Sequence, residues 1–147
     1  MQPTPQQALG SSPNREDLAR LIDHTLLKPD ATAGDIRNLC AEARRHGFAT
    51  VCVNPCWVAL CAAELRGSPV KVCTVAGFPL GATVTAAKCA EAETAIRNGA
   101  SEVDMVLNVG ALIAGDAVRV RLDIQAAARE CHRGGAILKV ILETALL

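Results

Sequence analysis

Glu102-Val-Asp-Met-Val-Leu107 alternates acid and hydrocarbon, and that alternation decides between two architectures. Side chains along an extended strand point to opposite faces in turn. Glu102 and Asp104 therefore share one face, and Val103, Met105 and Leu107 the other. The same division recurs in Ile137-Leu-Lys-Val-Ile-Leu-Glu143, where Lys139 and Glu143 oppose Leu138, Val140 and Leu142. It recurs again with Asp23 and Thr25 in Ile22–Leu27, and with Cys52 and Asn54 against Val51 and Val53 in the segment from Phe48. A doubly wound sheet carries helices on both faces and wants both apolar. In a (β/α)8 barrel one face becomes an interior, with chemistry near the strand C-termini. The polar parity favours the barrel. Val70-Lys-Val-Cys-Thr-Val-Ala76 favours neither, and no Gly-x-Gly-x-x-Gly follows the first strand, which counts against a dinucleotide fold.

Between these strands the chain reads as helix. Asn14 is the expected cap of a short first helix, and Asp30 or Thr32 opens an amphipathic one carrying Ile36, Leu39, Cys40 and Ala43. Residues 55–65, 83–98 and 116–132 supply three more, the last two stopped by Gly99 and Gly134-Gly135. Five strand–helix alternations are the pattern of right-handed βαβ units and a parallel sheet. Residues 1–13, rich in Pro, Gln and Ser, read as a disordered leader, and residues 14–147 as the folded domain. The final residues, 143–147, follow the fifth strand where a connecting helix is due.

Composition points to a soluble, cytoplasmic chain. Fifteen basic residues balance fifteen acidic ones in 147, and half the chain is hydrophobic. No net field favours nucleic acid or an anionic membrane, and scarce aromatics argue against base-stacking platforms. The N-terminus lacks a basic and apolar signal, and no apolar run reaches the length of a membrane span. Seven cysteines, an odd number without a Cys-x-x-Cys pair, read as reduced apolar fillers. Cys52, Cys56 and Cys61 match no common zinc spacing, so no metal site is expected.

The charged residues on the polar parity carry the candidate chemistry. Asp104 sits in mid-strand, where an ionised carboxylate needs a partner or a neutralising pKa shift. Lys139 is the complementary oddity. Together they form either a structural ion pair or an acid/base carboxylate beside an ammonium able to polarise a carbonyl. From the residues alone Lys139 is also the candidate Schiff-base nucleophile. Cys52, at a strand end, is either a reactive thiol or a buried inert one. His24, on the apolar parity, and His46 and His132, at helix ends, fit capping or exposure better than catalysis.

Five ordered blocks resemble deoxyribose-phosphate aldolase: Asp23-His-Thr-Leu-Leu-Lys-Pro29, Val51-Cys-Val-Asn-Pro55, Val75-Ala-Gly-Phe-Pro-Leu-Gly81, Ala95 to Val106, and Leu138-Lys-Val-Ile-Leu-Glu-Thr144. The resemblance runs from about Leu18 onward. It implies the (β/α)8 TIM barrel, here an incomplete barrel of about five β/α units with an extra N-terminal helix. It also implies cofactor-free Schiff-base chemistry that reversibly splits 2-deoxy-D-ribose 5-phosphate into acetaldehyde and D-glyceraldehyde 3-phosphate. On this resemblance Asp104 matches the family's proton-relay aspartate. Lys139 matches an active-site lysine that does not form the Schiff base, which displaces it as nucleophile. Cys52 matches a thiol near the substrate, and Asp23 and Thr25 match polar residues lining the pocket.

One departure from the family is large. Its Schiff-base lysine lies on a sixth strand, in a stretch like Phe-Ile-Lys-Thr-Ser-Thr-Gly, a second catalytic lysine lies on the seventh, and glycine-rich loops beyond hold the phosphate. No segment here resembles these. A barrel of this kind takes about 250 residues. The expectation is thus an aldolase portion inactive alone. The alternatives are a non-catalytic unit that pairs its open sheet edges with another chain, such as a second copy of itself, or another Schiff-base aldolase acting on a sugar phosphate.

Overall fold

The computed structural model describes residues 14–147, apart from the Glu16 side chain; the expected leader, 1–13, lies outside the described residues. Helix α1 (Arg15–Ala19) leads into strand β1 (Asp23–Leu26), followed by α2 (Ala33–His46), β2 (Thr50–Val53), α3 (Val58–Glu64) and β3 (Lys71–Ala76). Then come α4 (Thr85–Arg97), β4 (Glu102–Val106), α5 (Val109–Ile113), α6 (Ala117–Arg133) and β5 (Ile137–Ile141). All strand pairings are parallel, in the order β1-β2-β3-β4-β5.

Local chemistry sets the helix starts. Thr32 and Asp35 form a capping box at α2: Asp35 N–H donates to Thr32 Oγ1, and Thr32 N–H donates to Asp35 Oδ2 at 2.8 Å. Asn14 and Asp17 exchange the same pair of contacts at α1. Asp116 accepts from Arg119 N–H at 3.0 Å to open α6.

Register shows how the alternation is used. The row Leu26–Val53–Thr74–Val103–Leu138 runs across all five strands on the helix-covered face. Beneath α2 and α3, Ile36, Leu39, Cys40 and Ala43 bury Val51, Val53 and Val72; beneath α4 and α6, Ala92, Ala127 and Cys131 bury Val103 and Met105. The polar Thr74 is tolerated there because its hydroxyl donates to Val53 O at 2.7 Å. That bond resolves the ambiguity of β3.

The opposite face carries Asp23, Thr50, Cys52, Cys73, Glu102, Asp104 and Lys139. In a flat sheet four inter-strand steps would hold β1 and β5 about 19 Å apart. Yet Lys139 Nζ lies 3.3 Å from Asp23 Oδ2. The sheet is curled tightly enough for its two edge strands to converge over the polar face, which is an arc of a barrel.

Several expected boundaries shift. Each strand is shorter than its apolar pattern suggested, so Asn54, Leu107, Leu142 and Glu143 fall outside strands. Glu143 takes a left-handed conformation (φ 56°) and caps a 3₁₀ turn, Thr144–Leu146, so it is not an inner-face strand residue. Helix α5 was not expected from the sequence. Asn108 starts it by accepting from Ala111 N–H at 3.0 Å.

Candidate active site

Lys139 organises the polar face. Its Nζ lies 2.8 Å from Glu102 Oε2, 2.9 Å from Asp104 Oδ1, 3.3 Å from Asp23 Oδ2 and 3.4 Å from Cys73 Sγ. The bond to Glu102 is well directed. Asp104 Oδ1 is close but off-axis, an ion pair without a proper hydrogen bond. Burial works to lower the lysine's pKa, but the carboxylates of Glu102 and Asp104 outweigh it, and the ammonium is held well above its ordinary value. Lys139 is therefore a fixed cation.

The other sequence candidates gather around it. Cys52 is buried, its Sγ 4.0 Å from Asp104 Oδ2. Cys73 is its register partner, and the contact with Cys52, reinforced by burial, pushes the Cys73 thiol above its ordinary range. Asp23 accepts from Thr50 Oγ1 at 2.7 Å as well as facing Lys139. Thr25 stands on the same parity but turns its hydroxyl to Asp23 O at 2.8 Å and is exposed. Asp23, Cys52, Asp104 and Lys139 thus form one cluster, with Thr25 at its margin. Of the histidines, His24 bonds Glu42 at 2.8 Å on the outer face and packs on the Phe48 ring. Among the described residues, Cys52, Cys73 and Asp104 bring metal-ligating atoms within 4.8 Å of one another. The Lys139 ammonium already supplies a cation at that point.

Glu102 is the partner that sequence reasoning under-used: it was visible on the polar parity, but its bond to Lys139 was not. A second pair was missed altogether. Lys88 on α4 is fully buried, donating to Val106 O at 2.9 Å and to Asp123 Oδ2 at 2.6 Å. Each charge lies in an apolar stripe, Lys88 with Ala92 and Ala95, Asp123 with Val120 and Ala127, which is the signal that marks them. One turn beyond Lys88, Glu91 accepts from Gly77 N–H at 2.7 Å. Helix α4 thereby holds the ends of both β3 and β4. The loop from β3 to α4 is closely fitted. A Cβ on Gly77 would meet Lys88 Cε at 2.9 Å, and one on Gly81 would stand 1.9 Å from Leu107 O. Both glycines have positive φ.

A curled parallel α/β sheet with a lysine–carboxylate cluster on its concave face defines a barrel-type α/β protein, and the comparisons say which. The family model for DeoC/LacD family aldolases matches residues 18–147, and the chain belongs to that family. The deoxyribose-phosphate aldolase of Brevibacillus brevis is 59% identical over 131 residues, covering 89% of this chain and 58% of that protein. A crystal structure of a Coccidioides immitis protein superposes with TM-score 0.88 at 44% identity, covering 93% of this chain and 53% of its own. The deoxyribose phosphate aldolase of Aeropyrum pernix, described as a tetramer, gives TM-score 0.85 at 36% identity over 97% of this chain and 59% of that one. The chain thus spans a little over half the length of the relatives it matches. The incomplete-barrel reading of the sequence agrees with these neighbours. No described helix is long and apolar enough to cross a membrane.

Proposed function

We propose that this chain carries the acid/base part of a cytoplasmic, cofactor-free Schiff-base aldolase that reversibly cleaves 2-deoxy-D-ribose 5-phosphate to acetaldehyde and D-glyceraldehyde 3-phosphate. The observation that carries the reading is the Asp104–Lys139 contact at 2.9 Å on the concave face. Asp104, through a water, would give a proton to the carbinolamine hydroxyl as it leaves as water, and then, as the carboxylate, take the proton of the substrate hydroxyl when the carbon–carbon bond breaks. Lys139, held as an ammonium, would set the charge around Asp104 and bind a substrate hydroxyl. Its raised pKa leaves little free amine at neutral pH, which argues against it as nucleophile. Asp23, Thr25 and Cys52 would line the substrate pocket.

Imine formation itself needs a lysine outside this cluster, so the 147-residue chain alone should not turn over. The test is to incubate it with acetaldehyde and borohydride, assay cleavage of the sugar phosphate, and map adducts by mass spectrometry. No cleavage and no adduct at Lys139 is expected. Turnover together with one stoichiometric adduct on Lys139 would restore that residue as the nucleophile and overturn the assignment.

A second reading, a non-catalytic unit that pairs with another chain, draws on the open edges of the sheet. Among the described residues β1 and β5 each have one neighbour, and Ile137 and Leu142 at the β5 edge are half exposed. Homo-oligomers would follow, and size-exclusion chromatography separates the readings: a monodisperse monomer with all five strands protected from hydrogen exchange excludes edge pairing.

A further inference from the structure

A groove of about 710 Å³ opens where α1 runs into β1 beside the end of α2, and four arginines share its walls with Leu18, Ala19 and Ile22. Arg15 and Arg20 come from the α1 side, Arg44, Arg45 and His46 from the last turn of α2, and Phe48 forms an apolar base. The chain is neutral overall, so this concentration of cations is a segregation of charge. Among the described residues no carboxylate pairs with any of these four guanidinium groups; the arginine ion pairs are those of Arg37, Arg97 and Arg133. The nearby acids whose side chains are described are committed elsewhere. Asp17 caps α1, Glu42 bonds His24, and Asp23 faces Thr50 and Lys139.

The groove's own hydrogen bonds leave donors over. Arg44 spends one Nη1 contact on Glu64 O at 3.4 Å. Arg45 Nε lies 3.3 Å and Nη2 3.2 Å from His46 Nε2, an arrangement in which the ring nitrogen accepts. Phe48 packs between the rings of His24 and His46, with centroids 4.9 and 5.7 Å away, and stiffens the floor. Helix-end basic residues often do no more than complement the α2 dipole, worth about half a charge. Four guanidinium groups from two elements exceed that requirement severalfold. A planar, multidentate donor set of this kind matches phosphate oxygens better than single carboxylates.

The groove also lies on a different face of the sheet from the lysine–carboxylate cluster. Ile22 and Phe48 precede β1 and β2, and Phe48 packs on His24 on the outer face, whereas Lys139 and its carboxylates lie on the concave face. We propose that it is a binding site for a multiply charged phosphate anion, a diphosphate or triphosphate group, separate from the site of carbon–carbon chemistry.

The experiment is isothermal titration of the full chain with inorganic pyrophosphate, adenosine triphosphate and adenosine at low ionic strength. One equivalent of pyrophosphate should bind, adenosine triphosphate should match it within a few-fold, and adenosine should not bind. Arg20→Ala with Arg45→Ala should weaken pyrophosphate about tenfold or more, from the loss of charge-assisted hydrogen bonds. The control pair Arg66→Ala with Arg121→Ala should leave it unchanged. If the alanine pair unfolds by circular dichroism, Arg20→Lys with Arg45→Lys keeps the charge but loses the fork geometry, and should still weaken binding. Absence of pyrophosphate binding to the folded chain would overturn the proposal. So would an equal loss in the control pair, which would mean diffuse charge attraction, or binding of adenosine as tight as that of the triphosphate.

Discussion

Replacing Lys88 by Met tests how much one buried charge pair holds. Lys88 has no exposure and Asp123 very little, and the pair is closed by a 2.6 Å bond. Met keeps the length of the stem and removes only the ammonium. The consequence falls on Asp123: its Oδ1 already has no hydrogen-bond partner, and its Oδ2 would lose the one it has. Stranding one member of a buried pair costs about 3–5 kcal/mol, and losing the bond to Val106 O adds about 1. A domain of this size holds about 5–15 kcal/mol in total, so the variant should give up about a quarter of its stability or more. Urea unfolding followed by far-ultraviolet circular dichroism reads this directly. With a slope of about 2 kcal/mol per molar, the midpoint should fall by about 2–3 M. Lys88→Met combined with Asp123→Leu should recover most of the loss, because both charges are then gone. A single variant within 1 kcal/mol of the parent, or a double variant no better than the single, would refute the reasoning.

Three further outcomes are expected. Gly81→Ala should cost at least about 2 kcal/mol, from left-handed strain plus the clash with Leu107 O, and more than Gly115→Ala, where φ is also positive but nothing lies within 4 Å; equal melting points would contradict this. The Lys139 ammonium has a raised pKa in the fold, so its stabilising contribution is complete below the unfolded value of about 10.4 and is lost as pH rises beyond it. Lys139→Met should therefore flatten the fall in stability above pH 10, and an unchanged slope would count against the cluster. Among the thiols, exposed Cys56 should alkylate first with iodoacetamide, while Cys131, buried and pushed up to about 11, should lag at pH 8 and accelerate as the pH approaches that value. Comparable rates at pH 8 would disprove that ordering.

The polar and apolar parities of β1, β2, β4 and β5 were legible because alternation is a local property of a strand. They sufficed to choose a barrel over a doubly wound sheet. Parity put Asp23, Cys52, Asp104 and Lys139 on one face, and register sets Asp104 directly beside Lys139. Two kinds of fact lay beyond it. The pull of Lys139 toward Asp23 depends on how sharply the sheet curls, which no single strand encodes. The Lys88–Asp123 pair joins helices 35 positions apart, and only a helical projection showing charge in both apolar stripes points to it. Helix α5 escaped because Val109-Gly-Ala-Leu-Ile113 is too short for periodicity and owes its start to Asn108. The roles of the cluster rest on the family resemblance and the proposed chemistry.

Strand order equal to chain order has a kinetic meaning. Asp23 pairs with Thr50, Thr50 with Lys71, Cys73 with Glu102 and Glu102 with Ile137, so each new strand closes a loop of only about 20 to 35 residues onto the one before it. None of the described pairings waits for a distant segment. During synthesis each β/α unit can dock as soon as it clears the ribosome, building the curl one strand at a time from the N-terminus. The helix-covered apolar face is buried unit by unit along the way, and the strand edges open to misassociation at any moment are the newest strand and the outer side of β1.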